Sequence, residues 1–373
     1  MKDLQIDFIK KYNFRDYHFM LIIPVVILTV IGIMVIGSAD QSYQNKQILG
    51  MGIGLVIMVL FSMLDYKYLL KYYWLLYFFG LAMLMVVIFA GDKSLGATRW
   101  IDLGFVRFQP SELMKIIMIL FLAKFLTEHQ MNLNRKKMLL KILILIAVPL
   151  AMILKQPDLS TTIVMFVLCM CLIFLAGIKA KYVKWALGIG IPGFFVLLFA
   201  IVHDSSHKLI SQYQYLRIMA WLYPNEYTQS AYQQQNSILA IGSGRLLGKG
   251  LYNTSVESVK NGNFISEPQT DFIFAVTGEE LGFVGCCAVI GLLLLISIEC
   301  ILIGMKCRRL SGKLIAYGMG ILISFQSFVN ICVVTGLMPN TGLPLPFVSY
   351  GLTSLVTLYM GIGVVLNVGL QRT

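Results

Sequence analysis

Three carboxylates stand out because they lie where an apolar stretch begins. Residues 266–280 read SEPQTDFIFAVTGEE and continue into LGFVGCCAVIGLLLLIS, so Asp271, Glu279 and Glu280 lie at or just inside the start of that stretch. An apolar environment disfavours the charged form of a carboxyl group and raises its pKa, which suits a general base. Acids in such positions are candidates for function, although structural ion pairs also occur there.

The three acids are predicted to have separate roles. If the helix extends back to Asp271, the two glutamates lie about 12–14 Å further along its axis. At roughly 100° per residue they point in different directions from Asp271. Asp271, which faces polar loop segments, is therefore the candidate general base. Glu279 and Glu280 are predicted to support the helix through interior ion pairs or hydrogen bonds.

Basic and polar residues that could hold an anion gather in four segments between apolar runs. Arginine binds phosphate through two parallel hydrogen bonds, while lysine acts as a point charge. The alternative is that these side chains reach towards lipid headgroups. We predict a shared anionic ligand, with Arg99, Arg107, Arg217 and Arg245 among its contacts. The segments are GATRWIDLGFVRFQPSELMK (96–115), KQPDLSTT (155–162), residues 204–270 and PNTGLPLPFVSYG (339–351).

The RFQPSELMK motif (107–115) predicts a helix that begins near Pro110. Gln109, Glu112 and Lys115 then gather at its first turns. Glu112 and Lys115 are three residues apart and can form an ion pair on one face. Two interpretations stay open: a self-satisfied pair, or a lysine that faces a phosphate while Glu112 holds it in place.

Two further motifs have simpler structural interpretations. Asp158, in KQPDLSTT, is well suited to cap a helix N-terminus. GSGRLLGKG (242–250) suggests a nucleotide site, but a P-loop would need glycine at Ser243 and a hydroxyl residue at Gly250. A flexible loop that lets the backbone approach a ligand is the better interpretation.

The composition requires a membrane. The chain has 373 residues, 58% of them hydrophobic and 13% charged, with a mean hydropathy of +0.79. Apolar runs near the roughly 20 residues that a spanning helix needs recur along its length. We predict an all-α polytopic membrane protein that forms a single domain over residues 1–373. About ten transmembrane helices are expected near 19–38, 47–64, 72–90, 111–127, 139–154, 160–177, 183–203, 271–305, 313–338 and 352–370.

Basic residues predict the orientation. Most of the 30 Lys and Arg residues fall in the N-terminal segment and in every second segment between spans, which the positive-inside rule places in the cytoplasm. Both termini are therefore predicted to be cytoplasmic, and residues 204–270 form a large extracellular loop between the seventh and eighth helices. The net charge of +12 reflects topology and contact with membrane lipids rather than binding of nucleic acid.

Five motifs, in order along the ten spans, resemble the SEDS family (shape, elongation, division and sporulation), which includes the RodA, FtsW and SpoVE branches. They are GATRWIDLGFVRFQPSELMKI, KQPDLSTT, AIGSGRLLGKGL, TDFIFAVTGEELGFVG and GLPLPFVSYG. The resemblance implies a peptidoglycan glycosyltransferase of the bacterial cytoplasmic membrane. Such an enzyme polymerises lipid II on the outer face, and a class B penicillin-binding protein supplies transpeptidation.

The resemblance makes Asp271 the catalytic base. An acceptor hydroxyl would attack the lipid-pyrophosphate donor, Arg and Lys groups would stabilise the leaving group, and Mg²⁺ or Mn²⁺ could screen the phosphates, although no ligand set identifies a metal. Arg245, Gln269 and Leu352 depart from the usual family motifs, and the GKGL run with the short tails favours RodA. Five further residues lie in the matching motifs: Arg107, Gln109, Glu112, Lys115 and Asp158.

Two other functions remain open from the residues. A lipid flippase would use outer charges and intramembrane acids as a translocation path. A non-catalytic scaffold would only recruit the penicillin-binding protein. The clustering of cations on one side favours the enzyme, because a path would need polar residues that continue to the other side.

Overall fold

The protein is a bundle of membrane helices. The computed structural model describes residues 17–94, 97–102, 104, 107–203, 212–253, 264–265 and 267–371. Each of the ten predicted spans coincides with a helix, and seven helices among the described residues are long and apolar enough to cross a membrane, which confirms the polytopic helical fold. The helices are α1 (Phe19–Ala39), α2 (Gln41–Met63), α3 (Tyr66–Lys71), α4 (Tyr73–Ala90), α5 (Pro110–Glu128), α6 (Lys136–Lys155), α7 (Leu159–Leu175), α8 (Ala180–His203), α9 (Gln212–Leu222), α10 (Thr228–Ser243), α11 (Ile273–Lys306), α12 (Leu310–Val334) and α13 (Leu352–Leu370).

Central and peripheral helices differ in how much of their surface is covered. In α12 and α13, 67% and 72% of the span is buried within the protein, against 22% in α6 and 28% in α4. The peripheral helices expose large apolar side chains such as Leu75, Phe78 and Phe89. A bilayer solvates these side chains as well as protein does, so helix association there depends on close packing and interhelical hydrogen bonds. The central helices α5, α12 and α13 form the frame on which the polar residues are placed.

Helix α11 is broken near its start. Gly282 has φ +66° and ψ −164°, which divides the 34-residue helix into a short first part and a long second part. The predicted span at 271–305 was longer than one crossing needs, and this break accounts for the excess. Helix α11 begins at Ile273, so Asp271 lies in the turn directly before it, at the junction of the preceding segment and the helix.

The segment after α10 satisfies the backbone groups that the break frees. Residues 245–250, which we name the clasp, lie across the two sides of Gly282. Unpaired backbone groups are costly where water is scarce, so the clasp stabilises the break. The GSGRLLGKG motif therefore has a structural role. Four backbone hydrogen bonds make the connection: Phe283 N–H to Arg245 O (2.9 Å), Val284 N–H to Leu246 O (3.2 Å), Lys249 N–H to Glu279 O (2.9 Å) and Gly250 N–H to Glu280 O (3.0 Å).

Two elements were not predicted from the sequence. A small antiparallel sheet precedes α5, with strands β1 (Asp92–Ser94), β2 (Ala97–Asp102) and β3 (Arg107–Phe108) in that order. The 204–270 segment, predicted as a loop, contains helices α9 and α10. Residues 204–211, 254–263 and 266 lie outside the described part of the chain.

Candidate active site

Asp271 lies in a turn whose backbone carbonyl groups are held by hydrogen bonds. The turn precedes α11, and its carbonyl groups accept hydrogen bonds from α12 and from the 339–351 segment. These contacts hold the candidate base against the central helices rather than at the end of a free loop. The donors and acceptors are Asn330 Nδ2 to Asp271 O (2.9 Å), Ser349 Oγ to Thr270 O (2.7 Å) and Tyr350 N–H to Gln269 O (2.9 Å).

The surroundings of Asp271 make its carboxylate more basic than usual. Its side chain keeps partial contact with solvent, yet burial by the surrounding protein raises its pKa to about 6. The positive charges of Arg217 and Arg99 act in the opposite direction, while the nearby acids Glu267 and Asp158 raise the pKa further. A carboxylate with this pKa is ionised at neutral pH and is still basic enough to accept a proton from a reacting hydroxyl.

Arg217 reaches the base from α9. Its Nη1 donates a hydrogen bond to the carbonyl of Asn340 (3.3 Å). A Cβ atom placed on Gly342, which has φ +72°, would lie 3.2 Å from Asp271 Oδ2 and 3.5 Å from Arg217 Nη1. The carboxylate and the guanidinium therefore flank the same point of the 339–351 segment. Helix α9, within the 204–270 segment, thus places the guanidinium of Arg217 beside the candidate base.

Arg99 and Asp158 form the neighbouring part of the site. Arg99 Nη1 lies 3.9 Å from Asp158 Oδ1, and Nη2 donates to the carbonyl of Pro157 (2.6 Å). Among the described residues, the buried Nε of Arg99 has no hydrogen-bond partner. Asp158 caps α7, where its carboxylate accepts from Thr161 N–H (3.2 Å), and Gln109 Nε2 lies 3.5 Å from its Oδ2. The predicted helix cap therefore also anchors a site arginine.

Glu112 and Lys115 form a buried pair. Helix α5 begins at Pro110, and Lys115 Nζ lies 2.8 Å from Glu112 Oε1 and 2.7 Å from Gln326 Oε1. Ser354 Oγ donates to Glu112 Oε2 (2.9 Å). The side chains of Lys115 and Glu112 are only 1% and 2% exposed. This geometry matches the self-satisfied ion pair, and contact between Lys115 and a phosphate would require that pair to open.

Two predicted arginines form no ion pair with Asp271 in the described part of the chain. Arg107 is exposed on β3, and its carbonyl accepts a hydrogen bond from the hydroxyl of Thr353 (3.0 Å). Arg245 is exposed in the clasp, where its carbonyl bonds to Phe283. The structure thus brings Arg99 and Arg217 to the base, while Arg107 stands on the small sheet and Arg245 in the clasp.

The two glutamates make different contacts near the helix break. Glu279 Oε1 lies 2.8 Å from Lys249 Nζ, and Ser38 Oγ donates to Glu280 Oε1 (2.5 Å). Both glutamates are buried, at 1% exposure. The contact between Lys249 and Glu279 adds to the backbone bonds of the clasp. The hydrogen bond from Ser38 to Glu280 connects α1 to α11. Both glutamates lie further along α11 than the turn that carries Asp271.

Several residues around the site were not identified from the sequence. Asn330 bonds to the backbone of Asp271, and Gln326 accepts a hydrogen bond from Lys115. Both are amides inside a predicted span, where polar side chains usually face a partner or a cavity. That signal could have identified them. Glu267, four residues before Asp271, was also missed. No group of three or more His, Cys, Asp or Glu side chains in the described ranges is placed to hold a metal ion.

Comparison with known proteins relates the chain to one family. The family model described as Cell cycle protein, covering FtsW, RodA and SpoVE, matches residues 14–373. Stage V sporulation protein E of Bacillus subtilis (strain 168) is 35% identical over 364 residues, 94% of this chain and 96% of that protein. Peptidoglycan glycosyltransferase MrdB of Escherichia coli (strain K12) is 34% identical over 349 residues, 92% and 91% of the two chains. A solved structure that describes how a peptidoglycan synthase complex coordinates polymerization and crosslinking has a TM-score of 0.77 with 28% identity, over 95% of this chain and 97% of that one.

Proposed function

Because the chain belongs to the FtsW, RodA and SpoVE family of cell cycle proteins, we propose that it is a peptidoglycan glycosyltransferase that polymerises lipid II. Its similarity to a peptidoglycan glycosyltransferase over nine-tenths of both chains supports this function. The observation that carries the proposal is the position of Asp271, a carboxylate of raised pKa flanked by Arg217 and Arg99.

The site supplies a base and cations at one place. The 4-hydroxyl of the acceptor sugar attacks the anomeric carbon of the lipid-linked donor, which forms a new C–O bond. The bond from that carbon to the pyrophosphate oxygen breaks. Asp271 takes the hydroxyl proton, and Arg99 and Arg217 stabilise the charge on the departing pyrophosphate. Because lipid pyrophosphate is already a good leaving group, the step needs no protein acid.

The reaction takes place on the outer face of the cytoplasmic membrane. The beginning of α1, the end of α13 and the basic turn after α11 line one cavity, which includes Tyr17, Lys306, Arg308 and Gly369. This cavity lies at the end of α11 remote from Asp271. The positive-inside rule assigns such a basic end to the cytoplasm, so both termini are cytoplasmic and Asp271 is outside.

A class B penicillin-binding protein is the proposed partner. A structure that resembles this chain comes from a complex that coordinates polymerization with crosslinking. The RodA branch stays a prediction, because identities of 35% and 34% to a sporulation protein and to MrdB do not separate the branches.

The proposal is tested by giving labelled lipid II to the purified protein with its penicillin-binding partner. We expect Asp271→Ala to lower the initial rate of glycan synthesis by about 10²- to 10⁴-fold. Glu226→Ala is a matched control, because Glu226 is an exposed acid in the turn between α9 and α10. A native rate in Asp271→Ala would refute the base assignment.

Two further experiments discriminate the two alternative functions. Lipid crossing in proteoliposomes without polymerisation would indicate a flippase. Normal growth of cells that carry a correctly folded, polymerisation-dead variant would indicate a scaffold for the penicillin-binding protein.

A further inference from the structure

A strongly basic recess lies at the other end of the helix bundle from Asp271. It has a volume of about 690 Å³ and is lined by five cationic side chains. They come from different parts of the chain, so the recess exists only in the folded protein. None of them takes part in the proposed reaction. They are Lys67 on α3, Lys124 near the end of α5, Arg308 and Arg309 in the turn after α11, and Lys313 on α12.

Most of this charge is not neutralised by acids. Lys124 Nζ lies 3.0 Å from Glu128 Oε1, so this cation has an acidic partner. Within the described part of the chain, no acidic side chain forms an ion pair with Arg308, Arg309 or Lys313. Among the described residues, three cations without an acidic ion-pair partner therefore face one concave surface.

The start of α12 adds to the attraction for an anion. Arg309 is its N-cap residue and makes no side-chain capping hydrogen bond, and the first residues, Leu310 and Ser311, line the recess. The first N–H groups of a helix lack partners within the helix, and the helix dipole is positive at that end. Phosphate groups bind at such helix starts.

The surroundings of the recess are those of a membrane boundary. The lining includes the apolar side chains of Leu70 and Leu310 beside the cations. Next to Lys67 in the chain, Met63, Leu64 and Tyr68 are exposed, at 44%, 43% and 64%. Exposed apolar and aromatic side chains beside basic residues are typical of the layer where lipid headgroups meet acyl chains.

We propose that this recess binds the phosphate group of an anionic phospholipid from the cytoplasmic leaflet. The positive-inside rule alone requires basic residues at this end of the bundle, but not their convergence in one recess at an uncapped helix start. Arg135, Lys136 and Lys137 illustrate the ordinary case, since they are exposed at the start of α6 and do not line this recess. The proposal does not depend on the proposed enzymatic activity.

The test uses the purified, delipidated full chain with phosphatidylglycerol or phosphatidylcholine as the probe, and measures bound lipid by native mass spectrometry. The variant R308Q/R309Q/K313Q removes three charges from the recess. R135Q/K136Q/K137Q removes three from the same side outside it. We expect the unmodified protein to prefer phosphatidylglycerol, the recess variant to bind it at least about tenfold more weakly, and the control to stay within about twofold of the unmodified protein.

A single variant covers the case in which the triple variant does not fold. Arg308→Gln changes one exposed side chain and should weaken phosphatidylglycerol binding by about fivefold. Equal binding of the two lipids, or equal losses in the two triple variants, would overturn the proposal. Retention of inorganic phosphate without any preference for phosphatidylglycerol would also overturn it, because the recess would then be a site for a soluble anion.

Discussion

The side-chain amide of Asn330 lies 2.9 Å from the carbonyl oxygen of Asp271 and 2.6 Å from that of Leu343. One buried amide on α12 therefore joins the candidate base to the 339–351 segment, whose Gly342 lies beside the Asp271 carboxylate. The position of the base depends on a side chain that would not touch the substrate. Asn330 is thus a positioning residue.

Replacement of Asn330 tests this role. Asn330→Leu leaves two buried carbonyl groups without their donor, so we expect the free energy of unfolding to fall by about 1–3 kcal/mol. The rate of glycan synthesis should fall, because Asp271 loses a backbone contact that fixes the position of its carboxylate. Asn132→Leu, at the other end of the bundle, is the control. Unchanged stability and rate in Asn330→Leu would exclude the positioning role.

The pH dependence of polymerisation should report Asp271. Its pKa of about 6 predicts that kcat/KM for lipid II rises as the pH increases through about 6 and is constant above that. The sign follows because protonation at low pH removes the base. The residual rate of Asp271→Asn should not show this step. A midpoint near the ordinary pKa of aspartate, about 4, would contradict the described environment.

Arg217 should set the midpoint of that profile. Its positive charge lowers the pKa of Asp271, so Arg217→Gln should move the rising limb to higher pH. Arg217→Lys keeps the charge and should move the limb less. Arg107→Gln removes a charge that is not among the main influences on Asp271 and should move the midpoint less than Arg217→Gln does. A midpoint that stays or falls in Arg217→Gln would show that the two groups are not coupled.

The break in α11 should tolerate no side chain. Gly282 has φ +66°, and a Cβ atom there would lie 2.3 Å from the backbone nitrogen of Gly248 in the clasp. We expect Gly282→Ala to lower the free energy of unfolding by about 1–3 kcal/mol and to reduce the yield of folded protein. Gly291→Ala is the matched control on the same helix, because its Cβ would meet no atom within 4 Å. Equal thermal midpoints for the two variants would refute this.

Much of the architecture is determined by the sequence alone. Hydropathy predicts the ten segments that coincide with helices, because a chain in a bilayer must satisfy its backbone within each span and face lipid with apolar side chains. The beginning of α5 at Pro110 and the cap of α7 at Asp158 also follow from local rules, since a cap involves residues only a few positions apart. The resemblance of the motif identified Asp271 as the candidate base.

Only the tertiary structure decides which side chains meet. Residues 99, 158, 217 and 271 converge on one site from four separate segments, while Arg107 and Arg245, chosen by the same sequence criteria, form no ion pair with Asp271 among the described residues. Hydropathy and spacing are properties of neighbours along the chain. Contacts between distant segments depend instead on how helices pack and where they break. Asp271 stands in the turn before α11. Further along, the clasp closes the break at Gly282, where a glycine at positive φ interrupts a helix that its apolar sequence would otherwise continue.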